Sequence, residues 1–143
     1  MPRPAAWRLS PDTYPIREQV QTRYQDLDTN GHLNNVAFAA LFETSRVRMN
    51  RALGMWDKVD GFRAVVARNE INYLTEGSFP DPVEIAIGIG RIGNRSWDML
   101  AVMLQNGQPI ATCDTVIVMT APVGETLPPA LRERLEELGV NED

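Results

Sequence analysis

The chain has 143 residues, of which 43% are hydrophobic and 23% are charged, an ordinary composition for a globular protein. This length suits one compact domain over residues 1–143, because two domains would each bury too small a core. The formal net charge of -5 repels phosphate backbones, which argues against nucleic acid as a partner.

Cysteine and histidine are almost absent from the chain. Cys113 is the one cysteine, so no internal disulfide and no cysteine cluster for zinc is available, and there is one histidine. We therefore expect a reducing compartment, no metal site and no cofactor. The sequence carries neither a signal-peptide pattern nor a membrane-spanning apolar run, so we expect a cytoplasmic protein with no membrane partner.

The chain starts with an arm and a strand. Four prolines in residues 1–17 disfavour a regular ladder, so these residues are predicted to form an irregular arm. Over residues 18–25, Val20, Thr22 and Tyr24 alternate with polar residues, which predicts a half-buried strand.

The longest predicted element is a helix over residues 36–53, which contain no glycine or proline. Phe38, Phe42 and Met49 gather on one face, and Gly54 is a plausible stop. The opposite side is not cleanly polar, so we expect both sides of this helix to contact protein.

Four further strands and a second helix follow. The strands are predicted over residues 62–74, 83–92, 96–105 and 110–120, and the helix over 128–139. Gly93-Asn94 and Asn106-Gly107 supply hairpin turns. One side of the strand over 83–92 carries glycine and alanine, and we expect the long helix to approach it there. The pattern predicts an α+β fold in which one antiparallel sheet curls around one helix.

The stretch most suited to chemistry is the loop over residues 26–35, Asp-Leu-Asp-Thr-Asn-Gly-His-Leu-Asn-Asn. It places two carboxylates, three amides and the only histidine ahead of a helix whose first N–H groups have no intrahelical partner. Such N–H groups can stabilise an oxyanion, and a nearby carboxylate can act as a general base or a nucleophile. The residues suit acyl chemistry.

Other interpretations of this loop are weaker. Its first six residues match the start of a calcium-binding EF-hand loop, but Ala37 stands where a bidentate glutamate is needed and the preceding segment is predicted as a strand. Asn34 and Gly31 also suit a helix cap and a tight turn, a structural role that would explain either residue alone. No serine-hydrolase elbow or phosphate loop is present.

The segment over 23–38, Arg-Tyr-Gln-Asp-Leu-Asp-Thr-Asn-Gly-His-Leu-Asn-Asn-Val-Ala-Phe, resembles the loop and helix start of hotdog-fold thioesterases of the 4-hydroxybenzoyl-CoA thioesterase type. It is more similar still to the acyl-ACP thioesterase version. The similarity continues through residues 68–74 and 90–97 and covers most of 18–120. The resemblance implies a hotdog fold, a five-stranded antiparallel sheet wrapped around a long central helix.

Carried over by position, the resemblance implies four catalytic residues. Asp28 is the catalytic carboxylate, as general base or nucleophile, and Asn30 and His32 assist it. The backbone N–H of Asn35 is the oxyanion donor.

The resemblance also indicates residues that bind substrate. Arg95 corresponds to a basic hairpin that contacts coenzyme A phosphates in some relatives. Because Gly93 and Asn94 replace other basic residues there, Arg91 or Arg63 are alternatives. Asn72 is a further candidate for the cleft. Glu43 either reaches a neighbouring pocket or pairs with Arg46 at the surface.

We therefore expect a hydrolase that cleaves acyl-CoA or acyl-ACP to a free acid and a thiol, as a homodimer or homotetramer. One alternative is a hotdog enoyl hydratase, which usually spaces its aspartate and histidine one residue further apart with proline between them, where this chain has Gly31. The other alternative is a non-catalytic module that binds acyl chains.

Overall fold

The computed structural model describes residues 3–54 and 60–142. Its main elements are β1 (Ile16–Val20), α1 (Asn35–Leu53), β2 (Arg63–Tyr73), β3 (Val83–Ile92), β4 (Ser96–Gln105), β5 (Gln108–Ala121) and α2 (Pro129–Glu137).

The five strands form one sheet in the order β1-β3-β4-β5-β2, and every neighbouring pair is antiparallel. Helix α1 lies over β3 and β4, and its apolar face packs into one core with the inner side of the sheet. The largest fully buried core side chains include Phe42, Trp97, Met99 and Met103. The predicted hotdog fold is confirmed.

Both ends of α1 follow from local chemistry. The side chain of Asn34 accepts a hydrogen bond from the backbone N–H of Ala37 at 2.7 Å, so Asn34 caps the start of the helix. Gly54 follows the last turn with φ of 71°, the left-handed conformation that glycine adopts without steric cost. The predicted long helix and its stop are confirmed.

The strand predicted over 18–25 is displaced in the structure. It runs from Ile16 to Val20, and the chain then forms a short 3-10 helix over Tyr24–Asp26. Asp26 causes the turn, because its carboxylate accepts hydrogen bonds from the backbone N–H and the guanidinium of Arg23. The alternation of residue types did not reveal this capping. The predicted irregular arm contains two short 3-10 helices and ends where β1 begins.

The small residues of β3 admit a different neighbour from the one expected. A Cβ at Gly88 would lie 2.5 Å from the Pro15 ring and 2.8 Å from a Val140 methyl group. Gly88 therefore faces the outer side of the sheet, away from α1, and the arm and the C-terminal residues approach it there. The prediction that α1 packs on this side is wrong, because β3 directs Val83, Ile85, Ile87 and Ile89 towards the helix.

The arm is tied to the outer face by a buried cation. The Arg8 guanidinium lies 2.7 Å from the Asp114 carboxylate and donates to the hydroxyl of Tyr14 at 3.0 Å. Burial raises the pKa of the Tyr14 phenol, although the hydrogen bond from Arg8 opposes this shift. The arm thus covers a small apolar cluster that includes Val102 and Leu104.

Strand β2 forms one edge of the sheet, with β5 as its strand neighbour in the described part of the chain. Most of its residues are exposed or half-buried. Val65 is 51% exposed and Val66 is 47% exposed, so this edge presents apolar side chains as well as unpaired backbone groups.

The remaining elements agree with the sequence. Helix α2 lies within the predicted range 128–139, and its leucines join the core. The β4–β5 turn places Asn106 at φ 53° and Gly107 at φ 79°, the conformation expected of this hairpin. No described helix is long and apolar enough to cross a membrane.

Candidate active site

The loop before α1 is held in shape by the carboxylate of Asp28. Its Oδ1 accepts the backbone N–H of Asn30 at 2.8 Å and that of His32 at 3.1 Å. The backbone N–H of Asp28 in turn donates to the carbonyl of His32 at 2.8 Å. These contacts fix the orientation of the carboxylate, and its Oδ2 has no hydrogen-bond partner among the described residues.

The start of α1 offers two backbone donors beside this loop. The Asn34 side chain takes the N–H of Ala37, and the Asn34 carbonyl takes that of Phe38 at 3.2 Å. The N–H groups of Asn35 and Val36 have no partner in the described part of the chain. Because a helix N-terminus carries partial positive charge, these two donors can hold an anion or an oxyanion.

A cleft of about 650 Å³ opens between the loop, the start of α1 and the end of β2. It brings together Asp28, His32 and Asn35, three of the four residues predicted to be catalytic. Asn30 does not line this cleft, although its backbone helps to fix Asp28. The lining residues are Asp28, His32, Leu33, Asn35, Phe38, Tyr73, Leu74, Thr75 and Glu76.

Glu76 is a cleft residue that the sequence reasoning missed. Its carboxylate lies 3.1 Å from the Nε2 atom of His32. The segment that carries it is docked by the Leu33 N–H, which donates to the Gly77 carbonyl at 2.9 Å. A Cβ at Gly77 would lie only 2.5 Å from the Leu33 side chain, so a larger residue at this position would displace Leu33. No spacing in the sequence links Glu76 to the loop, because tertiary docking alone brings them together.

Tyr73 was also missed, and it forms one wall of the cleft. Its ring packs edge-on against Phe38 with ring centroids 5.2 Å apart. Its hydroxyl lies 3.5 Å from the carbonyl oxygen of Asn35, at the outer limit of a hydrogen bond. The side chain thus braces the first turn of α1 against the end of β2.

The residues predicted to bind substrate lie away from this cleft. The Arg95 guanidinium donates to the carbonyl of Met119 at 3.0 Å and to that of Glu125, so it fastens the chain after β5 to the β3–β4 turn. Asn72 lies on the outer face, where its amide is 3.5 Å from the Thr112 hydroxyl. It lines a second cavity of about 840 Å³ beneath the arm.

Arg91 and Arg63, the other two arginines considered for phosphate binding, differ in whether their side chains already have partners. Arg91 contacts the hydroxyl of Ser96 at 3.1 Å and the carboxylate of Asp98 at 3.2 Å. The Arg63 side chain is exposed and has no partner among the described residues.

Within residues 3–54 and 60–142, no reactive cysteine and no set of metal ligands forms a second candidate active site. Burial raises the pKa of the Cys113 thiol, which keeps it protonated and unreactive. Across residues 3–54 and 60–142, no group of three or more histidine, cysteine, aspartate and glutamate side chains could hold a metal ion.

An antiparallel sheet wrapped around one helix, with an acidic cleft at the start of that helix, defines a hotdog-fold protein of thioesterase-like architecture. Residues 22–135 match the model of the thioesterase-like superfamily. The chain belongs to this superfamily, and membership supports an enzyme that hydrolyses acyl thioesters in general.

Solved structures agree with this assignment. A thioesterase from Thermus thermophilus, solved with coenzyme A and zinc, is 32% identical, with a TM-score of 0.77 over 89% of this chain and 96% of that one. A predicted thioesterase from Bacillus stearothermophilus is 26% identical, with a TM-score of 0.79 over 88% and 97%. A protein from Pseudomonas aeruginosa strain PAO1, 24% identical with a TM-score of 0.77 over 90% and 94%, supports the fold alone. The comparison with curated proteins finds no significant match.

Proposed function

We propose that this protein hydrolyses an acyl thioester to a free acid and a thiol, with Asp28 as the reacting carboxylate. The observation that carries the proposal is the meeting of Asp28 and Asn35 in one cleft, at the helix start where the N–H groups of Asn35 and Val36 have no hydrogen-bond partner among the described residues. Asp28 drives the attack on the thioester carbonyl, and the N–H groups of Asn35 and Val36 stabilise the negative charge that develops on the carbonyl oxygen.

Two reaction courses fit these positions. As a general base, Asp28 takes a proton from water, whose oxygen bonds to the carbonyl carbon; the carbon–sulfur bond then breaks and the thiolate is protonated. As a nucleophile, Asp28 bonds to the carbonyl carbon and expels the thiolate, and water then hydrolyses the resulting anhydride. In both courses the oxyanion is held at the start of α1. His32, paired with Glu76 through Nε2, positions water through its other ring nitrogen.

Coenzyme A is the carrier that the proposal favours over acyl carrier protein. The relative from Thermus thermophilus was solved with coenzyme A, which supports this choice. Arg95 is already hydrogen-bonded to backbone carbonyls, whereas Arg63 is exposed and without a partner in the described part of the chain. Arg63 therefore has the free guanidinium of the two; because it begins β2 and Tyr73 of the cleft ends that strand, it would serve the cleft of the other copy in an antiparallel β2 pair. We also propose that the protein is located in the cytoplasm.

We further propose that two copies of the chain form a homodimer joined along β2. This edge strand has unpaired backbone groups and exposes Val65 and Val66. Two identical edges related by a two-fold axis pair antiparallel, which closes the assembly and removes the exposed edge. A homotetramer would form from two such dimers through the exposed side of α1, where Val36 is 71% exposed.

Thiol release from a series of acyl-CoA substrates tests the proposal. The wild-type chain is expected to release thiol, and Asp28→Asn is expected to lose most of the activity. The carboxamide keeps an oxygen that accepts the N–H groups of Asn30 and His32, but it is a poor base and nucleophile. Wild-type activity in Asp28→Asn would reject the role of Asp28. Hydration of an enoyl-CoA without thiol release would instead indicate a hydratase, and acyl-CoA binding without turnover a binding module.

Trapping experiments separate the two courses. Hydroxylamine added during turnover captures an anhydride on Asp28 as a hydroxamate of the acyl group. Hydroxamate formation that disappears in Asp28→Asn supports the nucleophilic course. Its absence in an active enzyme supports the general-base course.

A further inference from the structure

The cleft at the start of α1 carries a net negative charge. Two carboxylates line it, Asp28 from the loop and Glu76 from the segment after β2. His32 is charged only when it is protonated, and its Nε2 atom then pairs with the Glu76 carboxylate at 3.1 Å, so one negative charge still remains. No arginine or lysine is among the lining residues in the described part of the chain. A group that enters this cleft therefore meets an excess of negative charge.

The position of Glu76 in the cleft is fixed by hydrogen bonds on both sides of it. The backbone N–H of Thr75 donates to the carbonyl of Ile110 at 3.3 Å. The carbonyl of Gly77 accepts the N–H of Leu33 at 2.9 Å. The backbone therefore cannot carry the Glu76 carboxylate away from the cleft without breaking these contacts.

The rest of the cleft wall is largely apolar. Phe38 and Leu33 are 3% and 5% exposed, and the Tyr73 ring packs edge-on against Phe38 with ring centroids 5.2 Å apart. The N–H groups at the start of α1 are already assigned to the thioester oxygen in the proposed reaction. A carboxylate on the acyl group would thus be surrounded by apolar side chains and by two groups of its own charge.

The cation proposed for coenzyme A does not change this balance. Arg63 begins β2 and does not line the cleft of its own copy. In the proposed dimer it would approach the cleft of the other copy, where its guanidinium pairs with a phosphate of the carrier. That phosphate cancels its charge, so Arg63 does not offset the carboxylates that face the acyl group.

The size of the cleft keeps any charge on the acyl group close to Glu76. A compact space of about 650 Å³ is roughly 8–9 Å across, so both charges lie within about that distance. At about 8 Å, repulsion between two unit charges lowers binding about twofold in bulk water and about thirtyfold at the effective dielectric constant of a protein surface. Because the Glu76 side chain is 71% exposed, we expect an effect nearer the lower value.

We propose that Glu76 is a specificity-determining residue, and that the substrates are thioesters whose acyl group is uncharged or positively charged, with acyl groups that bear a carboxylate rejected. This inference rests on the proposed thioester hydrolysis. The Glu76 charge acts through space on the acyl group, in addition to its contact with His32. Repulsion of the wrong substrate is one of the two ways in which a protein achieves specificity.

Three thioesters of equal chain length test the substrate class. They are hexanoyl-CoA, hexanedioyl-CoA and ω-aminohexanoyl-CoA, whose acyl groups are neutral, negative and positive. If the acyl-CoA series favours another length, the same end groups are placed on that length. We expect the wild-type kcat/KM for the neutral and the positive thioester to exceed that for the negative one by at least about fivefold.

The outcomes separate the inference from the proposed function. Hydrolysis of hexanedioyl-CoA that equals or exceeds that of hexanoyl-CoA would overturn the inference and leave thioester hydrolysis in place. Release of thiol from none of the three, at any chain length, would reject the proposed function itself.

The variant Glu76→Gln tests the residue assignment by removing the charge and keeping the shape. Its amide oxygen still accepts a hydrogen bond from Nε2 of His32, so the imidazole keeps its orientation. A general loss of activity affects the three thioesters equally and cancels in their ratios. Relative to hexanoyl-CoA, hexanedioyl-CoA should improve by about threefold, and ω-aminohexanoyl-CoA should become poorer by a similar factor. A change in packing alone would not shift the two ratios in opposite directions.

Glu133→Gln is the matched control, because it removes the same charge from an exposed position of α2 outside the cleft. It should leave both ratios unchanged. Ratios that stay at the wild-type values in Glu76→Gln would overturn the assignment of Glu76. Equal shifts in Glu133→Gln would mean that the net charge of the chain sets the preference, which would overturn it as well.

Discussion

The Nε2 atom of His32 lies 3.1 Å from the carboxylate of Glu76, which joins the loop before α1 to the segment after β2. A carboxylate at Nε2 favours the tautomer that carries its proton there and leaves Nδ1 as an acceptor. The carboxylate of Asp28 instead accepts hydrogen bonds from the backbone N–H groups of Asn30 and His32. We therefore propose separate roles for the two carboxylates, Asp28 in the reaction and Glu76 in orienting the imidazole.

The first prediction concerns this pair. Glu76→Ala is expected to lower kcat by roughly tenfold, as removal of a residue that orients a catalytic histidine does. His32→Ala is expected to lower kcat at least as much but less than Asp28→Asn, because it positions groups and forms no bond to the substrate. The double variant should be no slower than His32→Ala, since Glu76 acts through the imidazole. Steady-state kinetics on one acyl-CoA substrate measures all three.

The control for lost negative charge is Glu133→Gln, an exposed residue of α2 that does not line the cleft. It should retain wild-type kcat. Independent, additive losses in the Glu76 and His32 variants would contradict the orienting role.

The sequence predicted the fold well because its strongest patterns are local. The long run without glycine or proline marked α1, and Asn106-Gly107 marked the β4–β5 hairpin through its need for positive φ. The boundaries of β1 were wrong because a side chain, Asp26, turns the backbone where alternation of residue types continues. The neighbour of Gly88 was wrong because alternation gives two sides to a strand without saying which side faces α1.

The site was predictable only where its residues are close in sequence. Asp28, His32 and Asn35 fall in one loop and its helix, and the cleft contains all three. Glu76 and Tyr73 reach the cleft through docking of the segment after β2, which no periodicity encodes. The roles given to all these residues stay predictions until the variants are measured.

The second prediction concerns the cap of α1. Asn34→Ala removes the acceptor for the Ala37 N–H, so the free energy of unfolding should fall by about 1 kcal/mol. Because the Asn35 and Val36 donors belong to the same turn, kcat should also fall. Urea unfolding and steady-state kinetics provide the two values. Thr44→Ala, at an exposed position of α1, is the control and should change stability by less than about 0.5 kcal/mol.

The third prediction concerns Gln105, which clamps the segment that carries Glu76. Its side chain accepts the Ser78 N–H at 2.8 Å and donates to the carbonyls of Ser78 at 2.9 Å and Asp81 at 2.8 Å. Gln105→Leu leaves these backbone groups without partners and should lower the free energy of unfolding by about 2–3 kcal/mol. Hydrogen exchange should accelerate first in residues 75–82. Uniform acceleration across the whole sheet would instead indicate a global loss of stability.

The fourth prediction concerns the edge of β2. Val65→Lys places a charge on the edge where the proposed dimer forms, and like charges from the two copies would meet there. Sedimentation velocity should show a shift from dimer to monomer at micromolar concentration. Val123→Lys adds the same charge at a position 87% exposed outside β2, and it should leave the dimer intact. A monomeric wild-type chain would reject the edge pairing outright.

The fifth prediction concerns the ion pair that holds the arm on the outer face. Asp114 is paired with Arg8 at 2.7 Å and stands directly opposite Glu70 on the neighbouring strand. Arg8→Met keeps the apolar stem but leaves two carboxylates facing each other. Loss of a buried partner costs about 3–5 kcal/mol, and since the Asp114 side chain is 37% exposed we expect about 2 kcal/mol.

Urea unfolding at neutral pH measures this loss, and the double variant Arg8→Met with Asp114→Asn should recover most of it, because the repulsion is then removed as well. Arg17→Met is the control. It breaks two ion pairs of an arginine that is 44% exposed, one with Asp12 of the arm at 3.0 Å and one with Glu84 at 2.9 Å, and each surface pair of this kind contributes less than about 1 kcal/mol. A loss in Arg8→Met no larger than in Arg17→Met would mean that the arm is held by its apolar contacts alone.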